Sequence, residues 1–376
     1  MACASNALIV GGGIAGLSAA VALSRIGVSC TVVELADEPL GASLGLSGRA
    51  ADALDELGIY DACFAEGRPF GLDSTVLSQR DAEGCLISAG PSRPPAWPGA
   101  KTAVAIYRPV LLRILKDTAE ALGVKVHTGM TTRSIEDDEL GSVVTLTNGD
   151  QGRYDFVVGA DGIGSATRKM LFPEAPKPTY AGQLSLRWMA PGSAIEPEGW
   201  YLSSVGRLGF YHLPQDLVYV PAVIDAKERV RVSDDDAVVM LGRLLESYTA
   251  PAIVELRNRL TPESTVICRP FEWIFLTEPW HKGRTLLIGD AAHATTAHLG
   301  MGGGMAIEDA VVLAQCVAGA STLPDAFDAF MTRRYDRVRT VVENSVALSN
   351  LEQEKADPAE SAAFISAALQ ALAQPY

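Results

Sequence analysis

Short, uninterrupted apolar runs alternate with helical-period segments at the start of this chain. Ala7-Leu8-Ile9-Val10 has no polar break, the pattern of a strand buried on both faces. Gly11-Gly12-Gly13 follows, and Ile14 to Arg25 reads as a helix rich in Ala and Leu with Gly27 as its C-terminal stop. Ser29–Leu35 (SCTVVEL) is the next strand, so the first 35 residues predict a βαβ unit and an open parallel sheet. The apolar stretch 7–23 has no basic segment before it and is interrupted by glycines. It predicts a loop between strand and helix, not a signal or membrane-spanning segment.

Residues 49–58 read as a helix stopping at Gly58, whereas 84–100 (GCLISAGPSRPPAWPGA) is too rich in Pro, Gly and Ser for an element interior and predicts a surface excursion. Pro109 suits the first turn of a helix to Leu122. Val124–His127, Val143–Thr147 and Tyr154–Val158 are expected strands, with Asn148-Gly149 turning between the last two. From about 175 to 280, short apolar and aromatic runs alternate with turns, as in an antiparallel sheet. Trp200-Tyr201, Leu208–Leu213 and Leu217–Ile224 are its clearest strands. Then α/β texture returns, with a buried strand at Thr285–Ile288, a helix over Met305–Val317 and a longer one from about Leu323 to Glu354, with room for one break. Ser361–Ala373 is apolar over much of its surface and is expected to pack on the nucleotide unit or on a second subunit. The expected division is a split nucleotide unit (1–72, 101–174, 281–350), a β-rich unit (73–100, 175–280) and a C-terminal helical segment (351–376).

Composition narrows the function. With 31 basic and 45 acidic residues the formal charge is −14, which argues against a nucleic-acid partner. No run approaches membrane length after the first glycines, so a soluble, cytoplasmic protein without stable membrane association is expected. Six cysteines lie scattered without CxxC or finger spacing, reading as reduced thiols and not as a disulfide frame or metal site.

Three segments carry candidate chemistry. Gly11-x-Gly13-x-x-Gly16, with Ile14 and Ala15 opening the helix, has the spacing of a dinucleotide loop. Gly11 allows the tight turn, Gly13 lets backbone approach a pyrophosphate, and Gly16 lets helix and strand pack closely. Glu34, ending the second strand, stands where an acid would bind ribose hydroxyls. The fingerprint alone does not separate FAD from NAD. The second segment, Val157 to Arg168, carries Asp161, Gly162 and Arg168. The third runs Leu286-Leu287-Ile288-Gly289-Asp290-Ala291-Ala292-His293, then Gly300-Met301-Gly302-Gly303-Gly304 and a helix. Asp290 could take a ribityl hydroxyl, and the Gly300–Gly304 backbone could approach a flat ring whose reducible edge meets the helix dipole.

In order and spacing these segments resemble the GxGxxG, "DG" and "GD" motifs of class A flavoprotein monooxygenases, the para-hydroxybenzoate hydroxylase-like group, over residues 7 to about 340. The resemblance implies an α/β fold: a Rossmann-like FAD-binding domain with an inserted antiparallel β-sheet substrate domain and C-terminal helices. It implies non-covalent FAD, with Glu34 on the adenosine ribose, Asp290 on the ribityl chain, and Asp161 and Arg168 in a segment serving FAD and NAD(P)H. Arg108, in Tyr107-Arg108-Pro109, matches the family arginine near the ribityl and pyrophosphate, and Arg49 a position that often contacts flavin. Where the family often reads GDAAHxxxPxxGQG, Ala297 replaces the proline and Met301 the glutamine.

The implied reaction has NADH or NADPH, bound transiently, reduce FAD; O2 then gives a C4a-hydroperoxide that hydroxylates an electron-rich aromatic or heteroaromatic ring. His298, Tyr211 and His212 are the candidate catalytic residues. Arg187, Arg207, Tyr219 and Ala297 are candidate substrate contacts. His293 is expected to brace its loop and not to transfer protons. A flavin reductase on the same scaffold and a non-catalytic flavin-binding regulator remain the alternatives; Glu272-Trp273-Ile274-Phe275 matches the halogenase WxWxIP motif poorly. A monomer or homodimer is expected.

Overall fold

The apolar run at the N-terminus becomes the interior of a sheet because every one of its four side chains is fully buried. In this computed structural model, which describes residues 2–36, 41–70, 77–91 and 96–376, Asn6–Val10 pairs in parallel with Ser29–Glu34 on one side and Phe156–Gly159 on the other. Lys125–Thr128 and Thr285–Leu287 extend the sheet in parallel, and His281–Lys282 adds an antiparallel edge, making six strands. Residues 73–76 and 92–95 of the expected β-rich unit lie outside the described residues. Against this sheet pack the helices Ile14–Arg25, Arg108–Ala121 and Gly302–Gly319.

The second unit is a seven-stranded sheet, in the order Val266–Trp273, Thr179–Pro191, Leu217–Asp225, Gly206–Leu213, Gly199–Leu202, Gln79–Arg80, Leu86–Ser88. Its two faces meet different surroundings, because successive side chains on a strand point to opposite sides. Leu208 and Phe210, Val218, Val220 and Ala222, and Leu184, Leu186, Trp188 and Ala190 join a core with the helices Asp234–Glu246 and Pro251–Arg259. The alternate residues Met189, Tyr211, Leu213, Leu217 and Tyr219 form a separate apolar cluster with Ala42, Phe70 and Ala105. Of those three, Ala105 and Phe70 lie in a small sheet of Ser43–Leu46, Ala103–Tyr107 and Arg68–Phe70, and Ala42 directly precedes it. One face of the large sheet is therefore filled by its own helices, and the other is turned toward the nucleotide-type unit.

Several elements differ from expectation. Tyr154–Val158 is not one strand: Gln151–Tyr154 pairs antiparallel with Gly141–Leu146, and Phe156–Gly159 enters the parallel sheet. Asp155 is the pivot, its carboxylate accepting from Ser5 N, Ser5 Oγ and Asn6 N. The helix expected from Met305 already begins at Gly302, so the glycines are its first turn. The helix Leu323–Gln353 runs without a break. Two helices inside the β-rich region, Asp234–Glu246 and Pro251–Arg259, were not anticipated, although Ser233 caps the first through its hydroxyl and three aspartates sit in its first turn. The C-terminal helix Pro358–Leu372 returns to the first unit, where Arg49 Nε donates to Ala373 O and Tyr376 Oη donates to Glu56. Cys30 and Cys63 are buried, which pushes their thiols up to about 11 and about 12.

Candidate active site

The glycine loop takes its shape from contacts that no side chain would survive. Gly11 sits at φ +113°, and a Cβ there would lie 2.3 Å from Ala160 O; one on Gly16 would lie 1.9 Å from Gly11 O. Gly13 differs, since a Cβ would meet no protein atom within 4 Å. It is the N-cap of the Ile14–Arg25 helix and offers no side-chain cap, so Ile14, Ala15 and Gly16 present uncapped N–H groups beside open backbone. Glu34 closes the loop from the neighbouring strand, accepting Gly12 N at 2.5 Å and Ala36 N at 2.8 Å.

Across the sheet ends, Gly162 (φ +76°) and Gly300 (φ +69°) also face open space, whereas Gly289 and Gly304 are needed for packing. A Cβ on Gly289 would lie 2.8 Å from Ala15 Cβ, and one on Gly304 2.8 Å from Ala50 Cβ. Gly302 and Gly303 have looser neighbours, Thr295 at 3.3 Å and Leu44 at 3.7 Å. Asp161 and Arg168 brace this region from within. Asp161 accepts from Ser165 Oγ at 2.5 Å and from Thr167 N at 2.9 Å. Arg168, fully buried, donates to Ala291 O and Ile163 O and so ties the second motif to the third.

Arg108 lies across Gly41, where a Cβ would come within 2.6 Å of its Cδ. Its Nε is buried without a hydrogen-bond partner among the described residues. Burial pulls its pKa down, against the attraction of Asp290 and Glu34, and Arg187 adds like-charge repulsion. Asp290 is exposed by area yet enclosed by protein, as in a side chain lining a deep cleft; that enclosure raises its carboxyl despite His293, Arg108 and Arg187. An orphaned guanidinium N–H, an unpaired carboxylate, an uncapped helix N-terminus and three open glycines fit a dinucleotide with a flat ring. The residues therefore fit FAD.

A group of charges missed by sequence reading underlies this cleft. His293 Nε2 is 2.6 Å from Asp309 Oδ2, the same oxygen that accepts Gly289 N at 2.9 Å. Arg334 Nε donates to Asp309 and its Nη1 to Glu308, and Arg337 grips Glu308 through two nitrogens. Asp309, Glu308 and Arg334 are all fully buried. Burial would raise the Asp309 carboxyl, but His293, Arg334 and the Gly289 N–H outweigh it and hold it at about 2. The only sequence signal was charge at helical spacing inside apolar helices, which usually means a solvated face. Arg49 is also occupied: it donates to Ala373 O, pairs with Asp52 at 3.1 Å and lies 3.8 Å over the Trp97 ring.

The remaining candidates separate by strand face. Tyr211 and Tyr219 pack edge to face at 5.3 Å on the side facing the first unit, and Tyr211 Oη donates to Ser43 Oγ at 3.1 Å. Burial raises both phenols, so both keep their protons at neutral pH. Arg187 points to the same side and lines a cavity of about 430 Å³ with Gly41, Ala42, Tyr107 and Met189. His212 follows the alternate register with Leu208 and Phe210, and its ring is held 2.7 Å from Glu198 Oε1. Arg68 forms a bidentate pair with that glutamate, which occupies the carboxylate that Glu196, Glu198 and His212 could otherwise offer a metal. Arg207 is drawn to Glu352, 2.7 Å away, and His298 bonds Thr296, so neither stands with the tyrosines. Ala297 is exposed on the loop before Gly300.

With this geometry in place, comparison with known proteins is decisive. Residues 4–345 match the family model described as an FAD binding domain. The chain belongs to the class A flavoprotein monooxygenases. It is an FAD-dependent monooxygenase of the aromatic-hydroxylase class, for which NAD(P)H is the usual reductant. It is 33% identical over 356 residues to the aurachin C monooxygenase/isomerase of Stigmatella aurantiaca, covering 92% of this chain and 89% of that one. It is 30% identical over 353 residues to the 2-heptyl-3-hydroxy-4(1H)-quinolone synthase of Pseudomonas aeruginosa, again covering 92% and 89%. The fold is similar to that of Klebsiella pneumoniae HpxO complexed with FAD and uric acid, with a TM-score of 0.80 at 24% identity, covering 99% of this chain and 93% of that one. Among the described residues, no helix is long and apolar enough to cross a membrane.

Proposed function

We propose that this monooxygenase hydroxylates a small, flat heteroaromatic or phenolic ring held between the tyrosine-bearing face of the large sheet and the glycine-lined cleft. The observation that carries this is the apolar cluster of Tyr211, Tyr219, Met189, Leu213 and Leu217 against Ala42 and Ala105, directly beside the cavity at Arg187. It can desolvate a ring and stack it. The relatives named for quinolones and the uric acid complex of HpxO share such flat, nitrogen-bearing rings.

Bound in this cleft, FAD would supply the activated oxygen, with NAD(P)H as reductant and O2 as oxidant. The chain's own residues bind, orient and exclude water. Glu34 takes the adenosine ribose, Arg108 the pyrophosphate and ribityl region, and Asp290 the ribityl chain. Gly13, Gly162 and Gly300 leave room for backbone approach, and Arg49 supports the cleft through Trp97 and the C-terminal helix. Tyr211 donates to Ser43, which in turn donates to Ile106 O, so the Tyr211 oxygen has acceptor capacity left for a substrate N–H or O–H. Since burial keeps it protonated, Tyr211 orients a substrate and does not deprotonate it. Arg187 supplies positive charge between ring and cleft, and Ala297 borders the ring on the loop side. In this division, 73–100 and 175–280 hold substrate and the other segments hold FAD.

The test is a visible spectrum of the purified protein, then aerobic NADH and NADPH oxidation with alkylquinolones, urate, phenols and pyridinols. Flavin bands with ring-stimulated oxidation and a stoichiometric oxygenated product are expected. Flavin bands without stimulated turnover would move the chain to a reductase or a regulator.

A further inference from the structure

At the opposite end of the inward sheet face from the tyrosines lies a partly buried polar junction of three parts of the chain. His298 comes from the loop before Gly300, Glu352 from the Leu323–Gln353 helix, and Arg207, Gln183 and Asp225 from the sheet. Phe271 meets the His298 ring edge to face at 5.1 Å. Gln183 Nε2 donates to Asp225 Oδ1 at 2.9 Å and Glu352 Oε1 at 3.3 Å, and Ser349 Oγ donates to Gln183 Oε1 at 2.8 Å.

The hydroxyl of Thr296 has one hydrogen and lies 3.1 Å from Ser345 O, in donor geometry. With that hydrogen on Ser345 O, Nδ1 of His298, 2.9 Å from the same hydroxyl oxygen, is the donor there. That leaves Nε2 as a lone pair when the ring is neutral. It is buried and has no hydrogen-bond partner among the described residues, yet it lies 3.5 Å from Glu352 Oε2. The same oxygen is 2.7 Å from Arg207 Nε, an approach too misaligned for a hydrogen bond, so this is an ion pair only. Arg207 has an alternative in the Trp200 ring, 4.3 Å beneath its guanidinium. One carboxylate oxygen thus faces two groups, only one of which is permanently charged.

We propose that His298 is a positioning residue: a proton taken from solvent onto Nε2 moves Glu352 Oε2 from Arg207 to His298, and so resets the loop that carries Ala297 and Gly300. This rests on the reading of that loop as the flavin ring's border. His298, Thr296 and Ser345 link the loop to the long helix, while Arg207 belongs to the sheet that lines the substrate cavity. Transfer of the carboxylate therefore tightens the loop on the helix and frees Arg207, while Gln183 stays bonded to the helix through Ser349 and Glu352 Oε1. Burial holds the His298 pKa below the ordinary imidazole value, Arg207 lowers it further, and Glu352 and Asp225 act in the opposite sense. The switch accordingly operates on the acid side of neutrality.

Because the chain has five histidines, imidazole carbon–proton NMR of ¹³C-histidine-labelled protein can follow each one, with His298→Asn assigning its signal. The expected His298 midpoint lies below about 6.5. It should fall by a pH unit or more in Glu352→Gln and rise by a similar amount in Arg207→Met. In the FAD-loaded protein the flavin absorption bands should shift through the wild-type midpoint, and the step should vanish in His298→Asn. A midpoint unchanged in both variants would overturn the shared carboxylate. Imidazole shifts as expected with flavin bands flat through the midpoint would overturn the loop-positioning step. Failure to bind FAD at all would instead overturn the functional reading, visibly, since the imidazole arm needs no flavin.

Discussion

The two sides of the cleft are built by different physics. On the cofactor side, position is set by backbone: Gly11, Gly16 and Gly289 sit where a Cβ would collide, and Asp161, Arg168 and Asp309 spend their side chains on loops. On the side proposed to hold substrate the backbone is ordinary sheet, and the chemistry offered to the cleft depends on which face each side chain takes. Tyr211 and His212 are neighbours in sequence, yet one meets Ser43 and the other Glu198. A site made from backbone tolerates almost no change in sequence, whereas a site made from alternating side chains can be rewritten without disturbing the sheet.

That contrast can be broken at several points. The largest effect is expected from Arg334→Met, which leaves Asp309 and Glu308 buried without their cation. It should cost about 3–5 kcal/mol in a denaturant melt, and a loss below about 1 kcal/mol would mean the buried charges do not hold the cradle. Next, Arg108→Met should weaken FAD binding about 10–100-fold by titration of the apoprotein, as a charge-assisted contact is worth about 1.5–3 kcal/mol. The melting temperature without FAD should barely move, because Arg108 Nε has no hydrogen-bond partner among the described residues.

The Asp309 carboxyl offers a third check through pH. Its folded pKa of about 2 is below the ordinary 3.8, so its stabilisation is complete above the ordinary carboxylate range and is lost as pH falls toward 2. Asp309→Asn should remove about 2 kcal/mol of that acid-dependent stability, seen as a flatter melting temperature between pH 5 and pH 3 (about the range over which an unfolded carboxylate titrates).

Smaller effects are expected on the substrate side. Tyr211→Phe deletes the hydroxyl bonded to Ser43 and should lower stability by about 1 kcal/mol, while FAD affinity stays unchanged. Its main readout is uncoupling, measured as oxygenated product per NAD(P)H. His212→Asn should leave turnover within about twofold, since the ring it removes is partly exposed and, among the described residues, pairs with Glu198 alone. A large loss of turnover with FAD binding intact would put His212 back on the reacting face and break the register argument.

The cofactor half was legible because its requirements fall on residue types that only glycine or a strand-end acid can meet, at spacings that local chain geometry enforces. Gly11, Gly13 and Gly16 declare a turn, a helix start and a close approach within six residues, and Glu34 follows from strand length alone. What lay under the cradle was not legible. Glu308 and Asp309 look like a solvated patch in sequence, and only the distant Arg334 and Arg337 turn them into a buried pair of carboxylates. Arg49, His212 and Arg207 carried the right chemistry for a site, but their partners Ala373, Glu198 and Glu352 come from elsewhere in the chain.

By itself, then, the sequence determined the βαβ opening, the order of the three glycine-bearing segments and the β-rich insertion, each from local periodicity or from backbone freedom at named positions. The class of cofactor followed from the family resemblance that those segments carry. Tertiary structure alone decided which sheet face looks at the cleft, which charges are buried beneath it, and which histidine stands beside the loop. Those depend on register and long-range packing, where a shift of one residue exchanges the two faces of a strand without altering its composition.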